Sequence, residues 1–248
     1  MKDLVDIHCH ILPYVDDGAL RAQESEELLE MQYQQGVRTI CTTPHLRRGM
    51  FETPDEKIVL QFERLKERAQ AKGLDVALFL SREYHCDSLL LEALRSGTVR
   101  PLGNGRCILS EFSYGAPEED IHYFIKTIQD SGFTPLIAHI ERCSSLQETE
   151  QVAALIEMGA KIQMNATAIL GGEGRKRASW CKKLLKAQLV HVVASDAHDP
   201  EDRPPQLSEC AAHLERKYGS AYAELLMHTN PSDILNPHGG SQHAERDA

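Results

Sequence analysis

Long apolar runs are missing from this 248-residue sequence. No stretch approaches the ~18 unbroken apolar residues that a membrane-spanning helix needs. The opening residues, Met1-Lys2-Asp3-Leu4-Val5-Asp6, carry acids at once and lack an apolar h-region, so no secretory signal is expected. Positive charge is in deficit: 27 Lys+Arg against 37 Asp+Glu leave a formal net charge of −10. That balance argues against a general nucleic-acid binder and against a polybasic membrane clamp. The 7 cysteines are odd in number and form no C-x-x-C. Neither a disulfide framework nor a thiolate zinc site is expected, and a cytoplasmic location suits free buried thiols. No G-x-S-x-G occurs, which leaves serine-hydrolase chemistry without support.

What is present suits one large domain. The 42% apolar content suffices for a core, and α/β barrels of this length often form a single unit. Strand-like runs fall at Leu4–His8, Val37–Thr42, Val76–Leu80, Cys107–Phe112, Thr134–Ala138, Lys161–Met164 and Leu189–Ala194. Several are continuously apolar, as strands buried on both faces are. Amphipathic stretches alternate with them, at Arg21–Gln35, Thr53–Lys72, Glu118–Asp130, Leu146–Glu157 and Arg175–Ala187. Thr53 as N-cap with Pro54 behind it opens the second. Gly36, Gly73, Gly132 and Gly159 each follow a helix and fit C-terminal caps. Further helices are expected near Gln206–Lys217 and Ala221–His228. Such βαβ alternation implies parallel strands with right-handed crossovers. The expectation is an α/β fold, a distorted seven-stranded (β/α)7 TIM-like barrel over residues 1–235, with 236–248 as a frayed tail.

Chemistry gathers at the strand exits. The first strand ends in His8-Cys9-His10, and residues i and i+2 of an extended chain point the same way. His45 follows the second strand and Glu83 the third. Glu111 lies in the fourth, His139 ends the fifth, and Asp196-Ala197-His198 ends the seventh. In an α/β barrel those exits converge on one face, where active sites sit. A single case would be unremarkable in an acidic protein; six exits out of seven point to a multinuclear metal site. All the side chains are imidazole or carboxylate, which leaves Mn, Fe or Zn, with the carboxylates favouring Mn. Clustered cations suit phosphate-ester hydrolysis. Arg142 and Arg203 lie in loops on the same face, and their forked donors match phosphate oxygens.

These residues, in this order, resemble the PHP (polymerase and histidinol phosphatase) superfamily, and within it the CpsB/YwqE-type bacterial protein-tyrosine phosphatases. The shared segments include Asp6-Ile7-His8-Cys9-His10, Val15-Asp16-Asp17-Gly18, Thr43-Pro44-His45, Ile137-Ala138-His139-Ile140-Glu141-Arg142, Ala194-Ser195-Asp196-Ala197-His198 and Arg203-Pro204-Pro205. The resemblance implies a trinuclear, usually Mn-dependent, centre. One ion would be held by His8, His10, Glu83 and Asp196. A second would share Glu83 and add Glu111 and His139. A third would take Asp17, His45 and His198, with Asp16 an open alternative to Asp17. Arg142 and Arg203 would bind the phosphoryl group, with Asp196 also at the chemistry, and a metal-bridged hydroxide would attack phosphorus. The implied substrate is a phosphotyrosine protein, a membrane-associated tyrosine kinase of capsular or exopolysaccharide assembly. Two rival readings keep the barrel: hydrolysis of a small phosphomonoester such as histidinol phosphate, or a non-catalytic subunit.

Three local features stand apart. Cys41 and Arg47 have the C-x5-R spacing of thiol phosphatases, but no glycine loop or clear helix start accompanies them; Cys41 is expected to be a core thiol. Arg47, in the loop Arg47–Phe51, could contact the substrate ring or flanking peptide. Arg82, beside Glu83, puts a cation next to a candidate ligand, where it would repel a metal unless it points away.

Overall fold

The computed structural model describes residues 3–237. In chain order the elements are β1 (Leu4–Cys9), α1 (Ala22–Gln34), β2 (Val37–Thr42), β3 (His45–Leu46), α2 (Asp55–Ala71), β4 (Ala77–Leu80), β5 (Glu83–His85), α3 (Ser88–Ser96), β6 (Cys107–Glu111) and α4 (Glu118–Asp130). There follow β7 (Thr134–Ile137), α5 (Thr149–Glu157), β8 (Lys161–Asn165), α6 (Ala166–Leu170), α7 (Arg175–Lys186), β9 (Val192–Ala194), α8 (Leu207–Tyr218), α9 (Ser220–Glu224) and α10 (Asn230–Leu235).

The strands form two parallel sheets, ordered β1-β2-β4 and β3-β5-β6-β7-β8-β9. Two of the expected strands continue, after a break, into short strands that were not expected. The second breaks at Thr43-Pro44, where proline has no N–H to give the ladder, and resumes as β3. The third breaks at Ser81-Arg82 and resumes as β5. Across the breaks the backbone stays bonded: Ser81 N donates to Thr42 O (2.9 Å) and Glu83 N to Pro44 O (3.2 Å). At the other edge Cys9 and Ala197 form a parallel bridge. There Asp196 N donates to His8 O and His10 N to Ala197 O, both at 2.8 Å.

Inward-facing residues alternate along the strands. Val5 and Ile7 of β1, Cys107 and Leu109 of β6, Leu136 and the following Ala138, and Val192 and Ala194 of β9 pack into one cluster. Ile234 and Leu235 of α10 join it, so the last described helix packs against this cluster. A larger cluster lies between the strands and the helices around them. The expected helices appear within a few residues of their sequence limits. Gly36 and Gly132 adopt φ of 87° and 85°, the left-handed conformation that a helix C-cap uses.

Some expectations need correction. Thr53 does not cap α2: Pro54 occupies the N-cap position, and Thr53 Oγ1 donates to Val15 O (2.6 Å) instead. Val76, Phe112, Ala138, Leu189, Val190 and His191 fall outside their expected strands, which are shorter. The stretch Ala221–His228 is not one regular helix; α9 passes into a π turn over Leu225–Thr229 before α10. Asn236, placed at the start of the frayed tail, pairs its Oδ1 with Asn104 Nδ2 at 2.9 Å. Residues 238–248 of that tail lie outside the described residues.

Candidate metal centre

The strand exits bring their imidazoles and carboxylates to one place. In β1 the register shifts between Asp6 and Cys9. Such a bulge re-aims side chains, and His8 Nε2 and His10 Nε2 come within 3.2 Å. Between β3 and β5, His45 is paired directly with Glu83. The ladder itself therefore sets these two side by side, and His45 Nδ1 lies 3.0 Å from Glu83 Oε2. His139 (φ 32°) and Asp196 (φ 53°) both adopt left-handed backbone at strand ends. Non-glycine residues rarely hold that conformation, and it tends to cluster at functional sites.

Glu83 is the hub. Its Oε2 lies 3.3 Å from His8 Nε2 and 3.2 Å from His10 Nε2, and its Oε1 lies 2.9 Å from His139 Nε2. Asp196 Oδ1 sits 3.3 Å from His8 Nε2 and 3.6 Å from His10 Nε2. Glu111 Oε1 is 3.4 Å from His45 Nδ1, and its Oε2 is 3.9 Å from His139 Nε2. Asp17 Oδ1 faces His45 Nε2 at 3.4 Å and His198 Nε2 at 3.6 Å. All nine side chains named from the sequence thus meet in four overlapping sets whose donor atoms lie within 4.8 Å of one another.

The donor chemistry suits divalent cations. His45 Nδ1, Glu83 Oε2, Glu111 Oε1 and His198 Nε2 are buried without a hydrogen-bond partner. Buried polar atoms are rarely left so. Four of them converging, all lone-pair donors, is what a set of cation ligands presents.

The charges respond accordingly. Burial opposes ionisation of Glu83, but His8, His45, His10 and His139 hold its carboxyl well below the usual range. Burial and Glu83 push Glu111 up, yet His45 and His85 bring it down to about 2. Burial likewise opposes a charged Asp196, and His8, His198, Arg142 and Arg203 outweigh it. Burial and His45 disfavour a charged His10, but Asp16 and Glu83 raise it to about 9. Its neighbour His198, ring centroids 4.0 Å apart, is pushed down to about 4 by burial and by His10.

A second ring of residues orients the first. Asp16 Oδ2 accepts from His10 Nδ1 (2.8 Å) and from His45 N (3.0 Å), while its Oδ1 accepts from Gly18 N (3.0 Å). Asp16 is thus engaged away from the centre, and Asp17 is the acid that faces it. Gln163 Oε1 accepts from His139 N (2.6 Å) and lies 3.2 Å from His8 Nδ1. Gln163 Nε2 reaches Asn165 Oδ1, and Asn165 Nδ2 reaches Asp196 Oδ2, both at 2.8 Å. Such outer contacts fix ring tautomers and ligand orientation. Sequence reasoning assigned no role to Gln163 or Asn165, nor to His85, whose Nδ1 lies 3.3 Å from Glu111 Oε1.

The arginines lie where the sequence placed them. Arg142 Nη1 and Arg203 Nη2 both reach Asp196 Oδ2 at 2.9 Å. Arg142 Nη2 also bonds Glu173 Oε1 at 2.8 Å, a partner the sequence reading missed. A cavity of about 320 Å³ opens here, walled by Arg142, Arg203, Arg177, Asn165 and Asp196. Arg47 is different. Its backbone closes a turn with Phe51, and Phe51 stacks on His45 (4.9 Å, 13°), but the Arg47 guanidinium makes no contact with the cluster among the described residues. Arg82 points away: its Nη2 donates to Thr53 O (2.8 Å), and its Nε lies 3.7 Å from Asp55. Cys41 is fully buried, and desolvation pushes its thiol up to about 12. That leaves almost no thiolate near neutrality.

The architecture is shared with the phosphotriesterase homology protein of Escherichia coli, at TM-score 0.62 and 11% identity over 94% of this chain and 99% of that one; this likeness is one of fold alone. The chain belongs to the family described as capsular polysaccharide synthesis, CpsB/CapC, which matches residues 4–236. It is 37% identical over 238 residues to the tyrosine-protein phosphatase CpsB of Streptococcus pneumoniae, covering 94% of this chain and 98% of that one. The tyrosine-protein phosphatase YwqE of Bacillus subtilis is 29% identical over 94% and 91% of the two chains. A solved structure from work on YwqE and CpsB, described as unique metal-dependent tyrosine phosphatases, superposes at TM-score 0.86 with 28% identity over 93% and 94%.

Proposed function

We propose that this protein is a metal-dependent protein-tyrosine phosphatase. One observation carries the reading: imidazoles and carboxylates from six strand exits converge with orphaned donor atoms beside two arginines that share one carboxylate oxygen. The proposed scaffold is a distorted seven-stranded barrel over residues 1–235, in which β2/β3 and β4/β5 count as two broken strands. Support comes from the bridge at Cys9 and the bonds across Thr42–Pro44, which link the two sheets at both edges.

Three ions are proposed: one with His8, His10, Glu83 and Asp196; one with Glu83, Glu111 and His139; one with Asp17, His45 and His198. Mn is favoured over Fe and Zn by the carboxylate share of the set. When bound, such ions supply Lewis acidity and lower the pKa of water, which is what hydrolysis of a phosphate ester requires. The protein's own groups do the rest. Asp16 holds the proton on His10 Nδ1 and leaves Nε2 free to donate. Arg142 and Arg203 clamp the phosphoryl oxygens, where negative charge spreads as the ester bond breaks. Asp196 holds both guanidinium groups in place until substrate enters. A tyrosine leaving group, with a parent pKa of about 10, departs more readily than an alkoxide and needs less proton assistance. Arg47 and Phe51 would form one wall for the ring, Phe51 by its stack on His45.

The relatives' names and the family description support a capsule-related phosphotyrosine protein as substrate, with a membrane-associated tyrosine kinase as the proposed partner and the cytoplasm as the proposed compartment. No helix among the described residues is long and apolar enough to cross a membrane. The non-catalytic reading is disfavoured because every candidate ligand is retained. The test is full chelation followed by reconstitution with Mn, Fe or Zn, assayed on a phosphotyrosine peptide and on histidinol phosphate. Activity surviving metal removal, or a preference for the alkyl ester, would overturn the proposal.

A further inference from the structure

Helix α7 breaks a local rule. It carries Arg175, Lys176, Arg177, Lys182, Lys183 and Lys186, and no acid, in twelve residues of a protein with net charge −10. Three of these cations stand at its start, where the helix dipole already presents positive charge and acids are favoured. Violations of this kind concentrate at functional sites.

The start of α7 borders the candidate centre. Arg142 bonds Asp196 on one side (2.9 Å) and Glu173 on the other (2.8 Å), and Glu173 Oε2 pairs with Arg177 Nη1 (2.5 Å). Beyond that chain lies a cavity of about 150 Å³, lined by the cations Arg142, Lys176 and Arg177, by Tyr114 and Trp180, and by the carboxyls of Glu141 and Glu173, among others. Lys176 has no ion-pair partner among the described residues, and the buried Trp180 indole N–H has no hydrogen-bond acceptor. Donors without acceptors beside aromatic walls suit an anionic side chain.

We propose that this cavity is a second anion subsite, which binds a carboxylate or a second phosphate on the same polypeptide a few residues from the scissile phosphotyrosine. This rests on the phosphatase reading above. The two cavities share Arg142, Glu173 and Arg177 as walls, so they adjoin. Three residues of extended chain, at roughly 3.3 Å each, carry a side chain from one such cavity into its neighbour. Lys176 supplies the unpaired charge, Arg177 stands beside it in its pair with Glu173, and the Trp180 indole N–H supplies a donor without an acceptor.

Trp180 is the sequence's only tryptophan, so its fluorescence reports on the subsite directly. The experiment uses the metal-loaded protein and three phosphotyrosine peptides that differ three residues from the phosphotyrosine, by glutamate, by a second phosphotyrosine or by glutamine. Their non-hydrolysable phosphonate analogues serve for binding. The expected result is a KM about tenfold lower for both anionic peptides, with similar kcat. Their analogues change Trp180 emission and the glutamine analogue does not. A response to only one of the anionic peptides identifies the source of the anion. Lys176→Glu, at an exposed position that does not threaten folding, should bring the anionic-to-neutral ratio to within twofold of unity. Equal turnover of all three peptides by the wild type, or a preference that survives Lys176→Glu, overturns the subsite. Failure to turn over any phosphotyrosine peptide or p-nitrophenyl phosphate with Mn, Fe or Zn overturns the phosphatase reading itself, and the subsite with it.

Discussion

Asp16 and Asp17 are neighbours in sequence and opposites in the structure, and substituting each should separate two kinds of damage. The Asp16 side chain is buried and spends both oxygens on N–H donors: His10 Nδ1, His45 N and Gly18 N. In Asp16→Asn an amide NH₂ must replace one of those oxygens, so a donor meets a donor whichever way the amide turns. The charge that favours a proton on His10 Nδ1 is lost as well. Loss of an outer-ring partner of this kind lowers metal affinity or activity about 10–100-fold, equivalent to about 1.4–2.7 kcal/mol. The ion count should stay the same, because no first ligand is removed. Asp17→Ala removes a carboxylate that faces His45 and His198 at 3.4 and 3.6 Å. It should lower the count by one ion per chain. The assay is elemental analysis of the reconstituted protein alongside a titration of activity against Mn. Asp16→Asn losing an ion outright, or Asp17→Ala keeping all of them at wild-type affinity, would refute this division of roles.

Further outcomes are expected elsewhere in the molecule. Cys41→Ser should keep activity within about twofold, because its thiol is buried and pushed up to about 12, whereas Arg142→Ala should lower kcat on a phosphotyrosine peptide by about 10²–10³, the usual loss for a transition-state donor. Burial lifts the Glu141 carboxyl from 4.5 to about 8, against the pull of Arg142. The folded state therefore holds a proton that the unfolded chain releases, and stability falls as pH rises from about 4.5 through 8, by at most about 5 kcal/mol. Glu141→Gln should flatten that decline in urea unfolding of the metal-free protein. Gly18→Ala would bring a Cβ to 2.0 Å from His10 O. It should lower the melting temperature and the Mn affinity together, since the Asp16-Asp17 turn cannot move without His10.

Much of the site was legible because its residues end apolar runs. His139 and Asp196 stand where continuous buried sequence stops, and such stops are visible without coordinates. The helices were legible for similar reasons: the apolar spacing of α2 and α4 and the glycines after α1 and α4 mark their limits. The short strands β3 and β5 were not, because two or three residues carry no periodicity. Helix α3 was missed although Asp87 caps it, its side chain accepting from Leu89 N at 2.7 Å. Nor does sequence separate Asp16 from Asp17; only the contacts of each carboxylate do. Gln163 and Glu173 escaped notice for the same reason. A neutral amide in a strand and an acid among glycines have no pattern of their own, and their roles come from partners 24 and 31 residues away.

The seam between the first and last strands has a consequence for how the protein comes into being. Ser195 and His8, joined there through a side-chain hydroxyl and a carbonyl oxygen, are 187 residues apart along the chain. A polypeptide emerging from the ribosome carries His8 and His10 from the outset, yet it cannot complete the ion site proposed for them until Asp196 has been synthesised and β9 has docked. Nascent fragments that stop short of that strand should take up divalent ions poorly, and on the proposed ligand set metal loading would come late in biogenesis.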